Sequence, residues 1–557
     1  MTTVMTIETR FAAACDHLNA GRLKEAGALY QQILAERPEH APSLHLLGVV
    51  ALQIGQGPLA VNLIRAAAET DPTVPAYRND LGEALRLTGD AEGAARCFEA
   101  VIALKPDHAG AHVNLGIVRQ QQGRLAEALT LYERAVALNP ALPEAWIDLG
   151  ALLLQLRRLG EAEKALATAV RLAPNDAATQ LNLGNLRLEQ GRLDDAMALY
   201  QTVLTAEPNH AAALLNLGRA LKELGRPAEA LRYYRQAEAL APDNATIRWN
   251  LGVCRLLLGD WLRGWHGFEA RFAADAVGAT GIAGPAWTGA PLPDGTLLIH
   301  AEQGLGDTIQ FARFAASVKA AGVGRIVLAC QPPLLELMRG VAGIDAVVPR
   351  DGPLPPFDAQ IAMMSLGAAL KITGATLPPA PYLTADPARV RDWTERLGPG
   401  FKVGLVWQGH RLHRNDRNRS LPAAALAPLL AVPGVRWFSL QKEAGDGDPS
   451  ATSVTDRSAT SVPDLSAGLT DFAETAAAVR SMDLVIAVDT SVAHLAGALG
   501  RPVWLALPHA PDWRWLMGRS DSPWYASARL FRQTERGDWR GPITAMAAAL
   551  PKLIPAV

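Results

Sequence analysis

An excess of charge of either sign is the first thing this chain lacks: 53 Lys and Arg stand against 55 Asp and Glu, a formal net charge of −2. With no basic surplus there is no broad attraction to polyanions, so nucleic acid is set aside as a general partner. Cysteine is scarce as well, with four in 557 residues (Cys15, Cys97, Cys254, Cys330) and no C-x-x-C pair. Thiols so far apart suit a reducing cytosol, and the three within the helical repeats pack as small apolar side chains. No stretch approaches 18 uncharged apolar residues, and Glu8 and Arg10 break the apolar positions of the opening segment. Neither a membrane span nor a signal peptide is expected, and a soluble cytoplasmic protein is. Metal ligands are missing too. His410 and His413 have no further ligand at zinc spacing, and Asp446-Gly447-Asp448 has no strand leading into it. No metal site is predicted.

What is present is a beat of 34 residues. A Gly recurs at Gly48, Gly82, Gly116, Gly150, Gly184, Gly218 and Gly252, and a Pro at Pro38, Pro72, Pro106, Pro140, Pro174, Pro208 and Pro242. Alanine keeps the same register from Ala26 through Ala60, Ala94, Ala128, Ala162 and Ala196 to Ala230. Small residues inside and Pro at the seam, at this period, describe tandem pairs of antiparallel helices. Residues 1 to 272 are therefore expected to form an α solenoid of seven repeats plus a degenerate capping repeat, in which Gly264 takes the place of the alanine.

From about residue 285 the pattern turns to short apolar runs: TLLIHA, RIVLAC, DAQIAM, KVGLVW, VRWFSLQ, DLVIAVD and PVWLAL. Strands alternating with helical stretches imply parallel sheets covered on both faces. The Pro-rich segment 377 to 390 divides them into two α/β, Rossmann-like halves, 285 to 390 and 400 to 557. Ligands of such sheets bind beyond the carboxyl ends of the strands. The Ser-, Thr- and Asp-rich stretch 443 to 466 reads as a mobile loop.

Three constellations stand at strand ends. In HAEQGLGDTIQFARF, Gly304 and Gly306 allow a tight turn and a close approach to a ligand. Asp307 there is either a base for an incoming hydroxyl or a helix cap. In IAVDTSVAHLAGALG, Asp489, Thr490 and Ser491 open a helix suited to a diphosphate, and His494 is either packed or within reach of a phosphate oxygen. In QGHRLHRNDRNRSLP, four arginines (Arg411, Arg414, Arg417, Arg419) cluster after a strand, and Arg419 is the chosen cation. Gln441 and Lys442 close the next strand in the same position, with Lys442 a second cation. Trp513, Arg514 and Trp515 either cover a base or sugar or belong to the core. In the repeats, Asp80, Asn114, Asp148, Asn182, Asn216 and Asn250 each precede a repeat Gly by two places. They either bind the backbone of an extended peptide or assist repeat packing.

Residues 7 to 272 resemble tetratricopeptide repeats, and residues 290 to 545 resemble the glycosyltransferase domain of the bacterial ADP-heptose:lipopolysaccharide heptosyltransferases, of the GT-B fold. The likeness rests on EQGLGDTIQFARF, VGLVWQG with RNDRNRS, AVDTSVAHLAGALGRPVW, and APDWRWL with DSPWY. It implies a metal-independent transferase with no cofactor beyond its nucleotide-sugar substrate. It implies Asp307 as catalytic base, and Asp489, Thr490 and His494 as a nucleotide-diphosphate site. Where those enzymes usually carry a lysine, this chain has Arg419. The fusion of repeats to such a domain is similar to O-linked N-acetylglucosamine transferases and bacterial flagellin glycosyltransferases, which implies a protein Ser/Thr acceptor held by the repeats. Two other readings stand beside it: a repeat scaffold with an inactive transferase domain, and a heptosyltransferase of lipopolysaccharide. The chain shows no basic amphipathic helix to hold a membrane surface.

Overall fold

A computed structural model of the chain describes residues 6–274, 281–410, 415–442 and 462–555. They fall into two compact units, Met1–Pro208 and Asn209–Val557.

The first unit is built of paired helices, from Ile7–Asn19 with Leu23–Glu36 to Ala177–Glu189 with Leu193–Ala206. Each second helix stops two residues before its proline. The residue between is extended, as with Arg37 at φ −137° and Lys105 at φ −139°, because the proline ring forbids the helical conformation to its predecessor. The repeat glycines work through contact. A Cβ on Gly116 would lie 2.5 Å from the Tyr132 ring, one on Gly184 2.5 Å from Tyr200, and one on Gly82 2.6 Å from Phe98. Each glycine thus receives the bulky side chain sixteen places further on, which fills the space between paired helices. A second glycine series closes the first helix of each pair in the left-handed region, as at Gly55 (φ 78°), Gly89 (φ 91°) and Gly123 (φ 75°). At that place in the fifth repeat stands Arg157, at φ 60°.

The second unit opens with two more helix pairs, Ala211–Glu223 with Pro227–Leu240 and Ala245–Leu257 with Trp261–Phe268. In the last pair the backbones themselves touch: a Cβ on Gly252 would stand 2.5 Å from the carbonyl carbon of Gly267. Trp261, Trp265 and Phe268 belong to the same apolar core as the first sheet of the α/β region. Trp265 donates its indole N–H to the Ile372 carbonyl at 2.9 Å, and Trp261 packs on Trp524 at 5.2 Å. The capping repeat is therefore part of the α/β core.

That region has two parallel sheets. The first contains β1 (Leu292–His300), β2 (Val323–Cys330), β3 (Ala346–Pro349) and β4 (Ala359–Ala362), in the order β3-β2-β1-β4. The second contains β5 (Phe401–Val406), β6 (Val435–Ser439), β7 (Leu484–Ala487), β8 (Val503–Leu507) and β9 (Ala528–Arg532), in the order β6-β5-β7-β8-β9. The seven expected strands are all present. β3 and β9 lie beyond the seven: each is a sheet edge, AVVP is only four residues long, and ARLFR is broken by Arg529. The expected boundary at residue 390 falls inside the helix Pro387–Leu397, which packs on Phe472–Arg480 of the second half through a Trp393 to Glu474 hydrogen bond of 2.8 Å.

Substitution of Arg157 by Gly is expected to stabilise the first unit by about 1 kcal/mol, the usual cost of a left-handed residue with a Cβ, less its exposed ion pair with Glu189. Gly116→Ala should destabilise it by about 2 kcal/mol through overpacking against Tyr132. Urea titrations of the two variants check both signs.

Candidate active site

In each sheet the chain leaves a central strand in opposite directions, and the site gathers at those reversals. β1 lies between β2 and β4, and β5 lies between β6 and β7. Such switch points open a crevice at the carboxyl ends of the strands.

The loop after β1 is fixed by buried charge. The side chains of Glu302 and Arg271 are both without solvent exposure and pair at 2.9 Å, with Arg271 Nε donating to the other carboxylate oxygen at 3.0 Å. Burial pushes the Glu302 carboxyl up, and Arg271 with the Met364 N–H pulls against it. The next turn leads into the helix Leu305–Phe311. Asp307 is its third residue, and its Oδ2 accepts the Gly304 N–H at 2.8 Å. The capping role is thus met, from inside the helix. Gly304 has φ −74°, open to any residue, so its expected need for glycine freedom is not observed. Gly306 answers to proximity instead: a Cβ there would lie 3.0 Å from His494 Cδ2 and 3.3 Å from the Ser491 Cα.

The helix Ser491–Ala498 follows β7, with Thr490 as its extended N-cap. Asp489 precedes it, and Arg419, at the end of the short helix Asp416–Arg419, donates Nη1 to the Asp489 carbonyl at 3.1 Å. Arg419 also pairs with Asp416 at 3.2 Å. His494 lies in the packed interior. It is 4% exposed, its Nδ1 lies 3.0 Å from the Tyr525 hydroxyl, its ring stacks on Trp515, and its Nε2 stands 3.7 Å from Asp489. Burial alone would raise the Asp489 carboxyl, but His494 and the Arg514 charge hold it well below the usual carboxylate range. Lys442 is turned to the Leu469 carbonyl at 2.7 Å, and Gln441 accepts the Gln408 N–H at 3.1 Å, tying together the loops after β5 and β6. Arg411, Arg414, His413 and the Asp446–Asp448 pair lie outside the described residues, as does most of the expected loop 443 to 466.

Arg514, which the sequence suggests only as cover or core, is the centre of the site. It ion-pairs with Asp307 through Nη2 and with Asp512 at 2.7 Å through Nη1, and gives Nε to Gln310 at 2.7 Å. Burial works against its charge, but Asp512 and Asp307 more than offset that. Trp513 and Trp515 are 5% and 0% exposed, so both are core aromatics. Only the length of the loop after β8, with an Arg between two Trp, could have signalled this role. The last repeats reach the same loop: a Cβ on Gly225 would touch His509 at 2.7 Å. Lys222, whose ammonium burial pushes down, has Asp512 among the charges acting on it.

The repeat ladder is not a uniform row of free carboxamides. In the first unit His45 bonds Asp80 at 2.7 Å, and Asn114 donates to Asn79 at 3.1 Å, each bridging neighbouring repeats. Asn182 is half-buried. Asn216 and Asn250 are 9% and 4% exposed, and Asn250 donates to the Thr246 carbonyl at 2.9 Å. Both of those side chains are packed among their neighbours. Burial, and then Glu144, push the Asp148 carboxyl up to about 6.

Tetratricopeptide repeat models match residues 17–81, 79–143, 119–183 and 176–243, and the glycosyltransferase family 9 (heptosyltransferase) model matches residues 450–507. The latter stretch holds β7, the helix Ser491–Ala498 and β8. The chain is 33% identical over 324 residues to protein FlbA of Caulobacter vibrioides, covering 53% of each. It is 32% identical over 85 residues to human tetratricopeptide repeat protein 7B, covering 15% of this chain and 10% of that one. The chain thus spans about half the length, or less, of these curated relatives. Among solved structures, PilF of Pseudomonas aeruginosa aligns over 38% of this chain and 97% of its own at 22% identity, with a TM-score of 0.33. The chain therefore joins tetratricopeptide repeats to a glycosyltransferase family 9 segment within a Rossmann-like α/β region. Among the described residues no helix is long and apolar enough to cross a membrane.

Asp148→Asn supplies a pH test of the ladder. The folded carboxyl keeps its proton up to about 6 and the unfolded one releases it near 3.8. The native state therefore binds more protons in that window, and stability falls as pH rises through it. The variant should be more stable at pH 7 by on the order of 2 kcal/mol, and no more stable at pH 4, in paired thermal melts.

Proposed function

We propose that the chain is a metal-independent GT-B glycosyltransferase that moves a sugar from a nucleotide-sugar donor to a Ser or Thr hydroxyl of a protein, which the repeats recruit. Flagellin is the acceptor suggested by the resemblance to flagellin glycosyltransferases, and the free thiols Cys15, Cys97, Cys254 and Cys330 suit a cytoplasmic setting. The observation that carries the reading is the meeting of the two strand-end loops, in which Gly306 lies against Ser491 and His494, and Asp307 against Arg514.

The acceptor hydroxyl gives its proton to Asp307 as its oxygen attacks the anomeric carbon, and the bond from that carbon to the diphosphate breaks. Charge on the leaving nucleoside diphosphate is met by Arg419, by the backbone N–H groups at the start of Ser491–Ala498, and by Lys442 turning from Leu469. Asp489 is a fixed anion at the crevice and suits hydrogen bonds from donor hydroxyls. Tetratricopeptide pairs hold proteins on extended surfaces, which favours a protein acceptor over a lipid one.

Incubation with UDP-, ADP-, GDP- and CMP-sugars, read by thermal shift and donor hydrolysis, tests this. One nucleotide class should raise the melting temperature and be hydrolysed. Asp307→Asn should keep the thermal shift and lose about a hundredfold or more in turnover. Undiminished transfer by that variant removes Asp307 as base, and indifference to all four classes favours the scaffold.

A further inference from the structure

A general base needs a lone pair free for the proton it takes. Both Asp307 oxygens are already engaged, Oδ1 by Arg514 and Oδ2 by the Gly304 N–H at 2.8 Å, and with the side chain only 20% exposed an incoming hydroxyl must compete with the guanidinium for Oδ1. Arg514, with its side chain 8% exposed, spends three N–H groups on Asp307, Asp512 and Gln310. A guanidinium has five N–H donors, so its capacity is not exhausted. Beside it, the Gln310 side chain gives its oxygen to Arg514, while its Nε2 is buried without a partner. Gln310 has no solvent exposure. A buried amide donor with no acceptor is a standing cost, and a Gln310 amide in contact with the Arg514 guanidinium, both with donor capacity left, is chemistry suited to an oxyanion.

We propose that Arg514 is a positioning residue that exchanges anions: it restrains Asp307 while the donor site is empty, and turns to the donor's diphosphate when a nucleotide sugar binds. The proposal rests on the transferase reading. Diphosphate oxygens take the Arg514 Nη2 and Gln310 Nε2 donors, and Asp307 Oδ1 is released. The freed carboxylate accepts the acceptor's hydroxyl proton, the new carbon–oxygen bond forms at the anomeric centre, and the electron pair of the broken bond leaves on the nucleoside diphosphate beside Arg514. Donor binding thereby arms the base. Asp512 keeps Nη1 throughout, so the guanidinium swings about that contact at 2.7 Å.

The exchange makes a prediction of sign. Asp307→Asn is nearly isosteric and removes the anion that competes for Arg514, so it should bind the nucleoside diphosphate more tightly, by about threefold or more. Isothermal titration of the full chain with UDP, ADP, GDP and CDP reads this directly. Arg514→Gln should weaken the same binding by about tenfold, and Arg514→Lys, which keeps the charge, should restore part of it. Circular dichroism melts establish that each variant is folded. Tightening in Asp307→Asn together with loss in Arg514→Gln supports the exchange. Unchanged or weaker binding in Asp307→Asn overturns it, because Asp307 is then a fixed anchor for Arg514. A wild-type chain that binds none of the four overturns the reading of a nucleoside-diphosphate donor and the exchange with it.

Discussion

The second unit is organised around a charge that water cannot reach. Arg271 has no solvent exposure, and a guanidinium in that position is tolerated only if its donors are met. All five are: two bonds to Glu302, and one each to Glu269, Ser365 and the Phe268 carbonyl. Its partners come from the end of the last repeat, the loop after β1 and the turn after β4. Glu302 also accepts the Met364 N–H at 2.9 Å, and Ser365 donates to Glu269 at 2.8 Å. Removing any one member would strand another as an unpaired buried group. The loop that presents Gly304, Gly306 and Asp307 is therefore held from behind by the repeats' own terminus.

The same constraint explains why the capping repeat and the α/β region are one body. Trp265 meets Trp513 at 5.4 Å, edge to face, and Trp261 meets Trp524 at 5.2 Å. Gly367 admits the Trp265 indole, since a Cβ there would stand 2.7 Å from it. Large flat side chains from the last repeat thus fill the space beside the loops after β1 and β8. The break in chain organisation falls near residue 208, two repeats earlier than the change in sequence pattern at 272. A 34-residue beat reports local helix pairing and has nothing to say about which pairs share a core with the α/β region.

What could be read in the sequence was whatever is periodic or sits at a strand end. The repeat glycines, the seven strong strands, and the placing of Asp307, Arg419 and Asp489 beyond β1, β5 and β7 all come from local pattern. The orientation of side chains did not. His494 was open to two roles because a helical histidine looks alike in sequence whether it faces a ligand or a Tyr525 hydroxyl. The Asn and Asp ladder has the spacing of a binding row, but neighbouring repeats stand close enough for Asn114 to bond Asn79 and for His45 to bond Asp80. Arg271 and Glu302 were invisible, since a buried ion pair 31 residues apart has no spacing rule.

The contrast between the two buried arginines separates scaffold from site. Arg271 is saturated: every N–H has an acceptor, and an arriving ligand could gain nothing from it. Arg514 has carboxylates to spare, Asp307 and Asp512 in contact and the Asp489 charge nearby, yet donors left over on itself and on Gln310. In the proposed exchange an arriving diphosphate competes with these carboxylates for the guanidinium, and one of them gives up its partner. Asp307 is the member able to do so, because its second oxygen keeps the Gly304 N–H and its helix stays capped. Asp512 cannot: its Oδ1 also caps the turn Trp513–Trp515 through the Arg514 N–H at 3.1 Å. In the proposed transfer, the geometry that makes Asp307 expendable as an anchor is the same geometry that frees it to serve as the base.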